Sequence, residues 1–332
     1  MDKREWNPGS LLKLSGSYWQ TCVLHAAVKL DVFSAIGEER YTAAEIAKNL
    51  DADERAAAML LTALVAMELL EKKDGTYQNT PAALRFLCKS SAEFMGYMIL
   101  HHHQLMNSWS RLDEGVRTGK PVRDRGSGGD DTWRENFLMG MFNMAMQVAP
   151  KIVSSIDLYG RRHLLDLGGG PGTYSIHFCR QYPQLKATVY DLPTTRSFAE
   201  KTIEKFGMAD RITFMDVDYL NESIEGTYDV AWLSHILHSE SPQNCIRIIN
   251  KAVSVLETGG LILVHDFILN NTMDGPLFPA LFSLNMLLGT EAGQSYSEQQ
   301  IMEMLAGAGV KNLKRIWIQT PNDSGIISGI VS

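Results

Sequence analysis

The segment from His163 to Thr173, HLLDLGGGPGT, restricts the folds open to this chain more than any other. Leu164, Leu165 and Leu167 form an apolar run broken only by Asp166 and ended by Gly168, Gly169 and Gly170, the pattern of a buried strand that stops in a glycine turn and continues as a helix. Three successive residues without a Cβ let a ligand lie against the backbone, and the free amides that open the next helix can hydrogen-bond it. The outline is that of a nucleotide-type site.

What the turn lacks narrows the nucleotide. A dinucleotide fingerprint needs glycine at its first, third and sixth positions, and the sixth position counted from Gly168 is Thr173. A phosphate-binding P-loop needs Lys followed by Ser or Thr, and the turn has no Lys. Downstream, the apolar run ATVYD ends in Asp191, twenty-one positions after Gly170, where an acidic group meets a ribose diol. An adenosyl ligand without phosphates satisfies both observations. A tight turn with no ligand is the alternative for any glycine-rich stretch taken alone; Asp191, the pair Val217 and Asp218, and an apolar strand at 228–233 weigh against it.

The motifs LLDLGGGPG, VYDLP, DYL at 218–220 and WLSHILH follow one another in this order. In them the chain resembles the class I S-adenosylmethionine methyltransferases and, more narrowly, the small-molecule O-methyltransferases typified by the caffeic acid, hydroxyindole and bacterial polyketide enzymes. The resemblance runs over nearly the whole chain. It implies an α/β architecture: a Rossmann-like, seven-stranded catalytic domain over 156–332, a mainly helical winged-helix dimerisation domain over 1–100, and a helical linker over 101–155 that lines the substrate pocket. The cofactor it implies is S-adenosyl-L-methionine, with S-adenosyl-L-homocysteine (SAH) as product and no metal.

Periodicity agrees for the second half. From Asp157 onward short apolar strands near 163–167, 186–190, 211–215, 228–233 and 260–266 alternate with amphipathic helices, which is the signature of a doubly wound parallel sheet. Two further strands, near 311–319 and 325–331, form a terminal hairpin, one strand of which runs antiparallel in the resembling family. Ligands of such sheets bind beyond the carboxyl ends of the strands, where Gly168, Asp191, Asp218, Ser234 and Asp266 all fall.

The first half reads differently. Apolar residues recur at helical spacing from Leu11 to Ile36, with Trp19, Val23, Ala26, Ala27 and Leu30 on one face. Thr42 and Glu45 make a capping box before a short helix, a second helix is predicted from Asp53 to Leu70, and KKDGTYQNT carries an Asp-Gly hairpin turn. Helix, helix and hairpin invite a DNA-binding reading. The second helix carries Asp53, Glu54 and Glu68 against a lone Arg55, so it would repel phosphate, and a formal charge of -7 over 332 residues argues against nucleic acid and anionic membranes alike. The resemblance instead makes this region the interface of a homodimer.

Cys22, Cys88, Cys179 and Cys245 have no paired spacing, so neither a disulfide framework nor a thiolate metal site is indicated, and a reducing cytoplasm suits them. No apolar run approaches the roughly twenty residues of a membrane span, and no signal-like segment is present, so a cytoplasmic enzyme is expected.

Between 91 and 156 the pattern is helical, interrupted by a turn-rich loop at 118–131. His101, His102 and His103 are adjacent and diverge on a helix, so they cannot share a metal; one of them, His102, is expected at the substrate pocket. Phe137, Met141, Met144 and Val148 lie four, three and four residues apart on one face, which by spacing alone reads as core. In the resembling family the matching helix sets Met and Phe against a flat acceptor, which makes Phe137, Met141 and Met144 substrate contacts.

The resemblance also assigns the chemistry. A phenol, with pKa about 10, is a poor nucleophile at neutral pH, and an imidazole, with pKa about 6.5, can take its proton during attack. His238 occupies the family's catalytic-histidine position, with His235 as the alternative base. Asp266 matches the acidic residue that orients it, and His265 is expected to face the other way. The family's second acidic partner aligns with Ser295, with Glu291 displaced from the position, and SES follows His238 in place of the family's usual pattern. For the cofactor, Gly168 and Gly170 are expected against the methionine part, Asp191 at the ribose hydroxyls, Asp218 at the adenine amine and Ser234 at the carboxylate, with Asp166, Leu192 and Tyr219 completing the set. Two other functions remain open from the sequence: a member of the fold that uses the cofactor without methyl transfer, for hydroxylation or decarboxylation, and a dimeric regulator that senses adenosyl ligands. Acceptor atoms other than oxygen are also compatible.

Overall fold

The computed structural model describes residues 5–123 and 131–332. These divide into two compact units, one formed by the residues up to Met106 with those from Asp131 to Met144, the other by Asn107 to Arg123 with Ala145 to Ser332.

In the first unit the predicted helical run from Leu11 to Ile36 is three helices, Pro8–Ser15, Tyr18–Lys29 and Val32–Ile36. The second break falls at Asp31, whose backbone is left-handed with φ 61°, a turn that apolar spacing does not reveal. Strand β1 (Tyr41–Thr42) leads into helix Ala43–Asn49, and the capping box is present: the amide of Thr42 donates to Glu45 Oε2 at 2.7 Å and that of Glu45 to Thr42 Oγ1 at 3.3 Å. Helix Glu54–Ala66 is shorter than the 53–70 expected, because Glu68 turns the chain with φ 60° and Leu70 opens β2 (Leu70–Lys73). β3 (Thr76–Asn79) closes the hairpin and pairs antiparallel with both β1 and β2. Val28, Val32, Phe33, Ile46, Leu61, Leu64 and Tyr77 form the core. Trp19 and Leu30, expected to pack, are 67% and 44% exposed, while Ala27 on the same helix is buried.

The second unit carries β4 (His163–Leu167), β5 (Lys186–Asp191), β6 (Ile212–Asp216), β7 (Tyr228–Ser234), β8 (Leu256–Phe267), β9 (Val310–Ile316) and β10 (Ser324–Val331). They form one sheet in the order β6-β5-β4-β7-β8-β10-β9, parallel from β6 to β8, with β10 antiparallel to both its neighbours. Alternate residues face two cores. Leu165, Leu167, Ala231, Leu233 and Val264 pack with Cys245, Ile248 and Ile249 of helix Pro242–Ser254, and Leu164, Val230, Trp232 and Leu263 pack with Ile176 and Phe178 of helix Thr173–Gln181. A strand covered on both faces must be apolar almost throughout, which is why these segments read as continuous runs in the sequence. From β4 the chain first builds outward through β5 and β6, then returns to place β7 on the other side. The strand order reverses there, and the reversal opens a crevice at the carboxyl ends. Among the described residues no helix is long and apolar enough to cross a membrane.

Candidate active site

Register brings the strand ends together: Leu167 is opposite Tyr190 and Leu233, Asp191 opposite Asp216, and Ser234 opposite His265. Immediately past Leu167 the chain bends through Gly168 and Gly170, with φ 68° and 52°. The two are glycine for different reasons. A Cβ on Gly168 would come 2.4 Å from Cγ2 of Ile236, whereas one on Gly170 would meet nothing within 4 Å, so the bend is packed beneath Gly168 and open over Gly170. Asp191 closes the bend from the neighbouring strand: its Oδ2 accepts the Gly170 amide at 2.7 Å, and its Oδ1 accepts the Leu192 amide at 2.7 Å and the Thr195 hydroxyl at 3.2 Å. Burial raises its pKa, and these hydrogen bonds oppose the shift.

Around this pair stand the other expected cofactor residues. Leu192 is 46% exposed directly beyond Asp191, an apolar wall beside a carboxylate. Asp218 accepts from the Leu220 amide at 3.0 Å and the Asn221 side-chain amide at 2.7 Å, which sets the turn after β6; Tyr219 packs on the sheet core behind it. Asp166 lies under the bend, 1% exposed, and accepts the Ser175 hydroxyl at 2.6 Å. Burial pushes its pKa up to about 7. Ser234 Oγ lies 2.9 Å from Nδ1 of His265, whose Nε2 is 3.0 Å from the Ser324 hydroxyl; that imidazole is buried and held well below its ordinary pKa by desolvation.

At the end of β8 sits the chemistry-bearing group. His238 Nδ1 is 2.7 Å from Asp266 Oδ1, and the same carboxylate accepts the amides of His238 at 3.3 Å and Phe267 at 2.8 Å. Burial acts to raise the Asp266 pKa, but the neighbouring His238, by its charge and its hydrogen bond, and the nearby His235 outweigh it and hold the carboxyl well below the usual range. An ionised carboxylate only accepts, so Nδ1 of His238 carries the hydrogen, and in the neutral imidazole Nε2 is the acceptor. His235, in left-handed backbone with φ 57°, brings its Nδ1 to 3.6 Å from the same Oδ1. His235, His238 and Asp266 present ligand-type atoms within 4.8 Å of one another. The ring of His238 stacks on Phe267 at 5.6 Å and meets Phe282 edge-on at 4.8 Å.

A family model for the O-methyltransferase domain matches residues 109–311, and one for the O-methyltransferase dimerisation domain matches residues 12–89. The chain belongs to the O-methyltransferase family. Among its relatives, the 3-hydroxy-5-methyl-1-naphthoate 3-O-methyltransferase of Streptomyces sahachiroi is 32% identical over 329 residues, covering 97% of this chain and 95% of its own. An O-methyltransferase family protein from Burkholderia thailandensis is similar in structure with a TM-score of 0.89 at 29% identity, covering 99% of both chains. PigF, solved with SAH, has a TM-score of 0.89 at 26% identity and covers 98% of this chain and 100% of its own.

In this O-methyltransferase the residues expected at catalysis and cofactor all lie in the second unit, while Phe137, Met141, Met144 and His102 lie in the first. Helix Asp131–Ser154 carries the first three of these, and the Phe137 ring lies 5.2 Å from that of His101, the buried member of the histidine run; His102 is exposed. Part of the expected 118–131 loop falls outside the described residues. Neither residue proposed for a second acidic partner is placed as an acid on His238: Glu291 is exposed, Ser295 is a buried serine whose amide donates to Ser283 Oγ at 2.9 Å, and between them Gly293 lies against the His238 carbonyl. Sequence reasoning missed Phe267, Phe278 and Phe282. The four-residue spacing of Phe278 and Phe282 was the available signal, and their neighbours in the chain disguised it as ordinary core.

Proposed function

We propose that this O-methyltransferase transfers the methyl group of S-adenosylmethionine to a hydroxyl of an aromatic small molecule, with His238 as the base that takes the hydroxyl proton and Asp266 as its partner. The contact of 2.7 Å between His238 Nδ1 and Asp266 Oδ1 carries this reading. It leaves Nε2 as acceptor, and as the proton arrives the carboxylate stabilises the imidazolium that forms. Phe267, itself buried, backs the ring, and the half-buried Phe282 at its edge would offer an apolar surface to an aromatic acceptor. The S. sahachiroi relative, by its name, methylates a hydroxyl on a naphthoate, which fits such a surface.

The bend fits an adenosyl cofactor. Backbone at Gly168 and the open side of Gly170 would take the methionine part, Asp191 the ribose diol, and Leu192, Asp218 and Tyr219 the adenine, with Ser234 toward the carboxylate and Asp166 holding the bend from below. When bound, the cofactor supplies a methyl group already activated on a sulfonium. That the structural neighbour PigF was solved with SAH supports an adenosyl cofactor for this chain. A separation of 2.7 Å is that of an N–H donated to a carboxylate, which supports reading His238 as a base and Asp266 as the group that orients it.

For the first unit we propose dimerisation, with residues 1–100 as a winged-helix-like interface and 101–155 as a linker to the catalytic domain over 156–332. Leu11, Leu12, Leu14, Tyr18 and Trp19 are all exposed, an apolar surface that a partner subunit would cover. The paired His238 and Asp266 favour transfer over a use of the cofactor without it, and Asp53, Glu54 and Glu68 in and around helix Glu54–Ala66, against a lone Arg55, disfavour a DNA-binding regulator. The deciding experiment incubates the protein with isotopically labelled cofactor and a panel of phenols, hydroxynaphthoates and hydroxyindoles and reads a gain of one labelled methyl by mass spectrometry. Binding of cofactor with no methylated product from any hydroxyl acceptor would defeat the proposal.

A further inference from the structure

One partly buried cation has no part in the chemistry above. Arg123 donates its backbone amide to the Leu288 carbonyl at 2.9 Å, and its Nη2 donates to Asn285 Oδ1 at 3.0 Å. Its Nε is buried without a hydrogen-bond partner, and no carboxylate among the described residues faces the guanidinium. Burial lowers its pKa, and among the described residues no neighbouring acid opposes the shift. A desolvated guanidinium is costly unless an anion meets it, and its planar fork of donors matches a carboxylate.

The helix it rests on leads to the base. Phe278, Phe282, Asn285 and Gly289 are four, three and four residues apart on helix Leu277–Gly289, so they share one face. Phe282 touches His238, and Phe278 and Phe282 both meet Phe267, at 5.0 and 4.5 Å. At the other end of that face a Cβ on Gly289 would stand 2.7 Å from Arg123 Nη1, so the missing side chain makes room for the guanidinium. The rise from Phe282 to Gly289 is about 10 Å. An aromatic wall with a base at one end and a cation at the other, on one face of one helix, suits a flat acceptor that carries an acid.

We propose that Arg123, held by Asn285, binds a carboxylate on the acceptor, so that the preferred substrates are hydroxylated aromatic acids of bicyclic size and not neutral phenols. This rests on the reading of the site as an aromatic O-methyltransferase. A cation at a helix carboxyl terminus also gains from the helix dipole, but that contribution is blind to whether the acceptor carries a charge.

The test compares 3-hydroxy-1-naphthoic acid with 2-naphthol, the same ring without its carboxyl, in the wild type, Arg123→Met and Arg123→Lys. Turnover (kcat/KM) is measured for both compounds, and their binding to the SAH-loaded protein is measured by calorimetry. The expected result is a wild-type preference for the acid of about tenfold or more, expressed in KM, which Arg123→Met reduces about ten- to a hundredfold and Arg123→Lys partly restores. Equal handling of the two compounds by the wild type would overturn the proposal, and so would an acid-to-naphthol ratio that Arg123→Met leaves intact. Because the readout is a ratio within one protein, partial loss of folding does not imitate it, and the wild-type comparison stands even if Arg123→Met does not fold. If no hydroxyl is methylated but the acid binds more tightly than naphthol and Arg123→Met removes the difference, the transfer reading fails while the Arg123 assignment survives.

Discussion

The amide of Gly170 donates to Oδ2 of Asp191 at 2.7 Å, tying the bend after β4 to the side chain that ends β5. The same carboxylate takes the Leu192 amide and the Thr195 hydroxyl, so its orientation is set before any ligand arrives. A preset acceptor loses little freedom when a diol binds, which concentrates binding energy in this side chain.

Asp191→Ala is therefore expected to weaken SAH binding about ten- to a hundredfold, the usual worth of a hydrogen-bonded charged acceptor. Isothermal calorimetry with SAH measures it. An unaltered dissociation constant would remove Asp191 from the ribose site.

For His238→Ala the expectation separates binding from chemistry. Turnover should fall by roughly two to four orders of magnitude, the usual contribution of a positioned general base, while SAH affinity stays near that of the wild type. Acceptors with more acidic hydroxyls should lose less, since they need less help in giving up the proton. His235→Ala should have the smaller effect, its Nδ1 being 3.6 Å from Asp266 Oδ1 against 2.7 Å for His238. Wild-type rates in His238→Ala would assign the base elsewhere.

Asp166 should give a pH signature in stability. Its pKa is raised by burial from 3.8 to about 7, so the folded protein keeps the proton over a range where the unfolded chain has released it. The group's contribution is complete below about 4 and is lost as the pH rises toward 7. Asp166→Asn keeps the shape and has no proton to lose, so its melting temperature should gain on that of the wild type between pH 4 and 7 and hold a constant offset above. Thermal melts across this range that run parallel would contradict the burial argument.

The apolar surface of the first unit predicts an oligomer. Leu12 and Trp19 are 73% and 67% exposed in the single chain, and charged replacements such as Leu12→Asp with Trp19→Glu should shift the protein from dimer toward monomer in sedimentation or light scattering. A monomeric wild type at micromolar concentration would dispose of the idea.

Chelators provide a further check. If Nε2 of His238 is free to act as the base, turnover after extensive treatment with EDTA should match that of untreated protein, and recovery only on adding a divalent ion would reassign His235, His238 and Asp266 as ligands.

Much of the second unit was legible because its constraints are local. An apolar run covered on both faces, a bend that only residues without a Cβ can make, and an acid at the end of the next strand each leave a mark within a few residues, as does the capping box of Thr42 and Glu45. The end of helix Glu54–Ala66 was not legible: Leu69 and Leu70 continue the apolar spacing, and only the left-handed turn at Glu68 sends Leu70 into a strand.

The sequence by itself determined the alternation of strands and helices in the second unit and the glycine bend with its acid twenty-one positions on, because steric limits and apolar period act between near neighbours in the chain, and its motifs carried the resemblance to the O-methyltransferases. Only the tertiary structure decided that two histidines approach Asp266, that Phe267 and Phe282 meet the ring of His238, and that Arg123 meets Asn285 with no acid among the described residues to balance it. Those relationships join segments up to 162 residues apart, and whether two such side chains meet depends on how the sheet and its helices pack, which no local pattern encodes.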